Sequence, residues 1–326
     1  MELREIGKSG VKLSALGLGC WQFSKSTGFA GKFWPSLSKN NTMQIIQKSI
    51  EHGVNWFDTA ELYGWGKSEE SLSLSLQKLK INSSSHFIAT KWWPLFRNAK
   101  SIKKTIDKRL YFLQGYPITL HQVHMPLGFS SIEKEMNMMA DLVEEGKIKH
   151  VGVSNFNQKQ MLRAYNALGK RGIHLTSNQM EYSILNRRIE SNGVLEAAKK
   201  LNISIIAYSP LAQGVVSGKF HKNPDLITNM HRLRKQKFYK RIHRGNGLKS
   251  SQPVIDMLKN IAQKHNSTPS QIALNWLINY HGKTVFAIPG ATNVKQTEDN
   301  MKAASIQLSQ TELDSLNKVS EHYKLA

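Results

Sequence analysis

Cysteine is almost absent: Cys20 stands alone in 326 residues, so no disulfide can close within the chain and no multi-cysteine zinc site can form. That excludes a disulfide-stapled secreted fold and fits a reducing compartment. Nowhere does the sequence contain the roughly 18 consecutive apolar residues of a membrane helix, and its opening Met1-Glu2-Leu3-Arg4-Glu5-Ile6 lacks the apolar stretch of a targeting peptide. A soluble, cytoplasmic protein with no membrane partner is the expectation. No tract rich in proline, glycine or serine divides the chain, which favours one domain over residues 1–326. Acids are scarce, 23 against 45 Lys and Arg, for a formal net charge of +22. This balance permits phosphorylated ligands, anionic surfaces or nucleic acid. Without an aromatic-interleaved basic array, no nucleic-acid partner is expected. A Walker loop is missing too, and Gly17-Leu18-Gly19-Cys20-Trp21-Gln22 lacks the third glycine of a dinucleotide fingerprint.

What is present is an ordinary globular composition, 40% hydrophobic and 21% charged. Short β-rich runs alternate with amphipathic stretches. Residues 15–19, 54–58, 86–91, 118–124, 148–154, 174–179, 203–208 and 284–288 read as buried strands. Between them, 41–52, 68–80, 98–112, 130–145, 157–170, 190–201, 254–265, 269–281 and 293–304 read as helices. Asn41-Thr42 and Thr268-Pro269 look like helix starts, Gly53 and Gly146 like stops. Eight strands with intervening helices favour an α/β fold of the (β/α)8 TIM-barrel type over an open doubly wound sheet, although spacing alone allows both. Residues 1–13 read as an added N-terminal β-hairpin turning at Lys8-Ser9-Gly10. The stretch 215–250, dense in Lys219, Lys222, Arg232, Arg234, Lys235, Lys237, Lys240, Arg241, Arg244 and Lys249, reads as a long basic insertion after the seventh strand.

At the C-terminal ends of these strands stand Asp58, Lys91, His124, Ser154-Asn155, Gln179 and Tyr208-Ser209-Pro210. A barrel brings such ends to one mouth, where Asp58, Lys91 and His124, with Tyr63 five residues past Asp58, can share a pocket. That set makes a proton donor. A phenol titrates near 10 unperturbed, and an ammonium about 4 Å away at an effective dielectric near 20 stabilises phenolate by up to roughly 4 kcal/mol. Asp58 then holds Lys91, and His124 donates to a carbonyl and orients it. The plainer readings are a satisfied buried histidine at His124 and a supporting salt bridge at Asp58. His121 and His124 sit three apart on one strand, so their side chains face opposite ways and no metal site is expected.

Phe57-Asp58-Thr59-Ala60-Glu61-Leu62-Tyr63-Gly64 followed by Ser68-Glu69-Glu70 resembles the opening signature of the aldo-keto reductase superfamily. Ala89-Thr90-Lys91, Gln122-Val123-His124-Met125-Pro126, Gly152-Val153-Ser154-Asn155-Phe156, Gln179-Met180-Glu181-Tyr182-Ser183 and Ala207-Tyr208-Ser209-Pro210-Leu211-Ala212-Gln213-Gly214 match further blocks of that family in order, across nearly the whole chain. The resemblance implies an NAD(P)H-dependent reductase that turns aldehydes or ketones, small-molecule carbonyl substrates, into alcohols. It makes Tyr63 the acid, Lys91 and Asp58 its tuning pair, and His124 the carbonyl-orienting group. Ser154, Asn155 and Gln179 would hold the nicotinamide carboxamide, and Tyr208 would stack on the ring, with a core-packed aromatic as the rival view of Tyr208. Ser209, Pro210 and Leu211 follow in the same cofactor-binding block.

Gly290, Thr292, Gln296 and Asn300 fall in a segment resembling the family's adenosine-phosphate loop, where a helix N-terminus suits phosphate. Many relatives place an arginine near Thr292 or Gln296, and neither position is basic here. Lys295 or an arginine of 215–250 is the expected substitute, and NADP(H) ranks ahead of NAD(H). Trp21, Trp92 and Trp93 are expected as an aromatic substrate pocket, with plain packing of strand-end tryptophans as the rival view. The alternative implied by the resemblance is a cofactor-binding regulatory subunit of the potassium-channel beta kind, with little turnover.

Overall fold

The computed structural model describes residues 1–28, 33–83, 85–228, 230, 235–236 and 248–325. Strand β1 (Leu3–Glu5) pairs antiparallel with β2 (Lys12–Ser14) in an N-terminal hairpin. Eight further strands, β3 (Leu18–Gly19), β4 (Trp56–Asp58), β5 (Phe87–Trp92), β6 (Ile118–Val123), β7 (Ile148–Ser154), β8 (Leu175–Glu181), β9 (Ser204–Tyr208) and β10 (Val285–Ala287), form one parallel sheet in chain order. The sheet curls until its edges touch. Isolated parallel bridges join Leu16 to Ala287 and Gly19 to Gly290, with the Gly17 amide donating to the Ala287 carbonyl at 2.9 Å. Glycine is required at this contact, because a Cβ on Gly19 would stand 2.8 Å from the Ile288 carbonyl oxygen.

Helices follow the strands, and their starts carry the signals that side-chain capping demands. Ser131 caps Ile132–Glu144, Asn157 caps Gln158–Gly169 and Thr268 caps Pro269–Asn279, the latter two with complete capping boxes. The first long helix is Lys39–Glu51, capped by Ser38, whose hydroxyl accepts from the Asn41 amide. It therefore starts before the Asn41-Thr42 pair expected to open it. Helix Leu248–Lys264 runs through Pro253 and starts six residues before the expected 254–265. Helix Gln310–Val319, capped by Ser309 with Glu312 closing the box, has no counterpart among the expected helices. Of the basic run 215–250, Lys219–Lys222 and Asp225–Thr228 are short helical turns. Arg232, Arg234, Lys237, Lys240, Arg241 and Arg244 lie outside the described residues.

Two apolar clusters organise the molecule. The larger fills the space between sheet and helices. The smaller joins Ile6 and Leu13 of the hairpin to Trp56, Ala89, Leu120, Ile206 and Phe286. Two residues further along β4, β5, β6 and β9 on the same face stand Asp58, Lys91, Gln122 and Tyr208. The enclosed face thus has an apolar floor, which the hairpin covers, and a polar mouth. Arg4 fastens the hairpin by donating to Asn279 Oδ1 at 2.7 Å and to the Ile278 carbonyl.

Candidate active site

Strand register brings the first two groups together. Asp58 pairs with Ala89, which leaves Lys91 one pleat further on the same face. Lys91 Nζ donates to Asp58 Oδ1 at 2.5 Å and to the Thr59 carbonyl at 2.8 Å, and both side chains are fully buried. Asp58 Oδ2 accepts from Gln179 Nε2 at 2.8 Å and from Gln122 Nε2 at 3.3 Å. Every oxygen of this carboxylate is therefore met by a donor, the condition under which a buried charge is tolerable.

Tyr63 is delivered by the loop after β4. The Glu61 amide donates to the Lys91 carbonyl, while the Glu61 carboxylate accepts from the Trp93 amide at 3.0 Å and from Arg97 at 2.8 Å. The loop carrying Tyr63 is thereby bolted to the loop after β5. Lys91 Nζ lies 5.1 Å from the Tyr63 ring centroid, and the His124 ring meets Tyr63 edge-on at 5.8 Å. Burial, then the negative charge of Asp58, hold the Tyr63 phenol well above its ordinary range. The sequence argument has Lys91 lowering it. In the structure the Lys91 charge is taken up by Asp58, and desolvation prevails. Burial also lowers the Lys91 ammonium from its ordinary value, against the opposing pull of Asp58.

Aromatic rings wall this group. Trp21 stacks on Tyr63 at 5.8 Å and on Phe33 at 4.7 Å, with Trp34 edge-on to both Trp21 and Phe33. Trp93 meets His124 edge-on at 5.3 Å. Trp92, expected in the pocket, is elsewhere: strand alternation turns it to the helix side, where it is completely buried and its Nε1 donates to Ser101 at 3.0 Å. His121 likewise faces away from His124, beside Arg109. Burial, then that guanidinium, drive its imidazole down to about 3.

The remaining expected residues form a second arc along the mouth. Ser154 Oγ donates to the Gln179 carbonyl at 2.9 Å. Asn155, in the left-handed region at φ 61, donates to Ser154 Oγ and to the His124 carbonyl, and its Oδ1 accepts the Tyr208 hydroxyl at 2.9 Å. Tyr208 keeps one part of its surface exposed while the rest packs on the apolar floor. The loop past it is tightly wound, with Ser209 at φ 52, Gln213 at φ 57, and Pro210 buried beside a half-buried Leu211. Both amide atoms of Gln213 are buried without a hydrogen-bond partner among the described residues. Across the seam, Asn300 donates to the Gly290 carbonyl at 3.4 Å. Gln296 Oε1 accepts from the Thr292 amide and hydroxyl, just ahead of helix Val294–Lys302.

Residues that the sequence reading passed over are Gln122, Phe33, Trp34 and the Glu61–Arg97 bolt. Gln122 was accessible through alternation, being the inward position of β6 nearest its end. The aromatic pair 33–34 lies outside any regular element and carries no such signal.

Comparison with known proteins adds a separate line. A sequence model described as the Aldo/keto reductase family matches residues 15–321. An uncharacterized oxidoreductase of Mycobacterium tuberculosis is 32% identical over 316 residues, spanning 96% of this chain and 91% of the relative. An aldo-keto reductase of Schizosaccharomyces pombe whose name specifies NADP(+) is 28% identical over 324 residues, 94% of this chain and 87% of its own. Among solved structures, a thermostable aldo-keto reductase crystallised with the inhibitor epalrestat superposes with a TM-score of 0.76 at 28% identity, covering 98% of this chain and 100% of that one.

Proposed function

The chain belongs to the aldo/keto reductase family, and from that premise we propose that it is an NADP(H)-dependent reductase of aldehydes or ketones, built on a (β/α)8 barrel, in which Tyr63 is the proton donor. The observation that carries the reading is the meeting of phenol, ammonium, carboxylate and imidazole at one end of the sheet, with Lys91 Nζ 5.1 Å from the Tyr63 ring and 2.5 Å from Asp58.

The side chains present fit a nicotinamide dinucleotide. Ser154, Asn155 and Gln179 offer hydroxyl and amide groups suited to a carboxamide, and the partly exposed Tyr208 ring offers a stacking face. Gln213, with its amide atoms buried and unpartnered among the described residues, suits a polar ligand against the loop at 209–214. Gly290, Thr292, Gln296 and Asn300 would hold the adenosine end. Preference for NADP(H) over NAD(H) rests on Lys295, exposed near the start of helix Val294–Lys302, and on the name of the fission-yeast relative.

When bound, the reduced cofactor supplies the hydride. Burial keeps the Tyr63 hydroxyl protonated, so a proton is always available for the carbonyl oxygen. The phenolate left behind has the Lys91 ammonium over its ring, 5.1 Å from the centroid, and the share of that charge not taken up by Asp58 favours it. His124 donates to the carbonyl and fixes its direction. Trp21 and Trp93 line the substrate and exclude water from it.

Oxidation of NADPH over a panel of aldehydes and ketones tests the proposal. Tyr63→Phe is expected to cut turnover by orders of magnitude with cofactor affinity nearly intact. Near-normal turnover of that variant refutes the assignment, and tight cofactor binding with no consumption by the parent protein indicates a regulatory subunit instead.

A further inference from the structure

We propose that Gln122 is a positioning residue of the acid–base pair, a dedicated donor that keeps the Asp58 carboxylate turned toward Lys91. The inference rests on the reductase reading for its kinetic consequence, and on geometry alone for the contact. Asp58 offers two oxygens to three donors: Oδ1 meets Lys91, while Oδ2 meets both Gln179 at 2.8 Å and Gln122 at 3.3 Å. A carboxylate tied at one oxygen can rotate about its last side-chain bond. Tied at both, it holds the ammonium in one place, between Asp58 and the Thr59 carbonyl.

The orientation of Gln122 follows from Asp58. The side chain is completely buried and its Oε1 finds no partner among the described residues. Turned over, the amide would face carbonyl oxygen to carboxylate, so the end that donates decides the rotamer. Register supports the placement. Gln122 pairs with Lys91 on one side and with Gly152 on the other. A Cβ at Gly152 would stand 3.0 Å from Gln122 Cγ and 2.6 Å from Ser177 Oγ, so the glycine leaves the room that the glutamine stem occupies. Gln179 differs from Gln122 in having a second duty under the proposed function, toward the carboxamide. Gln122 has none, and remains on Asp58 whatever Gln179 does.

Gln122→Met keeps the length and burial of the side chain and removes the donor. Turnover number is expected to fall about tenfold as the carboxylate and its ammonium lose their fixed direction. KM for the carbonyl, affinity for NADPH by fluorescence quenching, and melting temperature should all hold. In the protein with Gln122 intact, the side-chain amide resonance of Gln122, identified by its disappearance in Gln122→Met, should move when Asp58→Asn is introduced. The Lys91 ε-carbon resonance should move in Gln122→Met without any change at Asp58. Unchanged turnover, or a loss of turnover that merely tracks a fall in melting temperature, overturns the proposal. So do amide and lysine resonances indifferent to these changes. A parent protein that binds NADPH yet reduces nothing sinks the reductase reading instead, and the two resonances then still decide the Gln122–Asp58 contact.

Discussion

Removing the ammonium from the Asp58–Lys91 pair is the perturbation whose size follows most directly from the geometry. At 2.5 Å and an effective dielectric near 20, attraction between unit charges is about 7 kcal/mol, most of which offsets the cost of taking both groups out of water. Lys91→Met deletes the attraction and leaves Asp58 buried with two neutral donors. Uncompensated burial of that kind costs about 3–5 kcal/mol, a large share of the roughly 5–15 kcal/mol that holds a domain folded. Urea unfolding should show an earlier midpoint at an unchanged slope. Asp58→Asn on the Lys91→Met background removes the stranded charge and should recover much of the loss, giving a coupling energy above about 2 kcal/mol. Turnover should stay abolished in the double variant, because stability returns while the phenol's ammonium does not. If Lys91→Met unfolds as late as the parent, or if the double variant is as unstable as the sum of the singles, the account of a desolvated, mutually dependent pair is wrong.

Trp21 and Trp92 should behave oppositely: Trp21→Ala is expected to raise KM for carbonyl substrates with little change in melting temperature. Trp92→Ala, by emptying a fully buried site, should cost about 3–5 kcal/mol of stability by urea titration while sparing KM. Burial raises the Glu135 carboxyl to about 7, so folding favours its protonated form. The associated stability is complete below the ordinary carboxylate range and is lost as pH rises through about 7. Glu135→Gln should therefore be more stable than the parent at pH 8 and not at pH 4; equal midpoints at both refute this. Lys295→Glu is expected to weaken NADPH more than NADH, with the NADPH affinity of the parent loosening as salt rises. Identical losses for both cofactors would remove Lys295 from the 2′-phosphate.

Strand positions were largely legible because the sheet is all parallel and buried: short apolar runs such as Val285–Ala287 mark strands. Inward direction was legible as well, since Asp58, Lys91 and Gln122 obey the two-residue period. Trp92 was misplaced because its neighbour in sequence, Lys91, belongs to the site, and adjacency along a strand means opposite faces. Helix Gln310–Val319 was missed although Ser309 and Glu312 spell its capping box. The short-range contacts of Phe33 and Trp34 with Trp21 depend on a loop path that no periodicity encodes. The balance of burial against charge at Tyr63 was beyond pattern reading too, since it depends on where the Lys91 charge is spent.

The junction between the first and last staves of the sheet carries a cost of its own. β3 contributes two paired residues to β4, and the residues at and just before it meet Ala287 and Gly290 through isolated bridges, where the central strands β5 to β9 share ladders of four or five pairs. Packing reinforces the short pairing: Gly17 lies so close over Trp56 that any Cβ would fall 2.3 Å from the indole. The stave that leads into Trp21 is thus clasped by that contact together with a few backbone bonds, Gly17 to Ala287, Ala287 to Ala15, Gly19 to Pro289 and Cys20 to Asp58, in place of a long ladder. Its amides should trade hydrogen for deuterium ahead of those of the central strands, so that any breathing of the vessel begins beside its own lip.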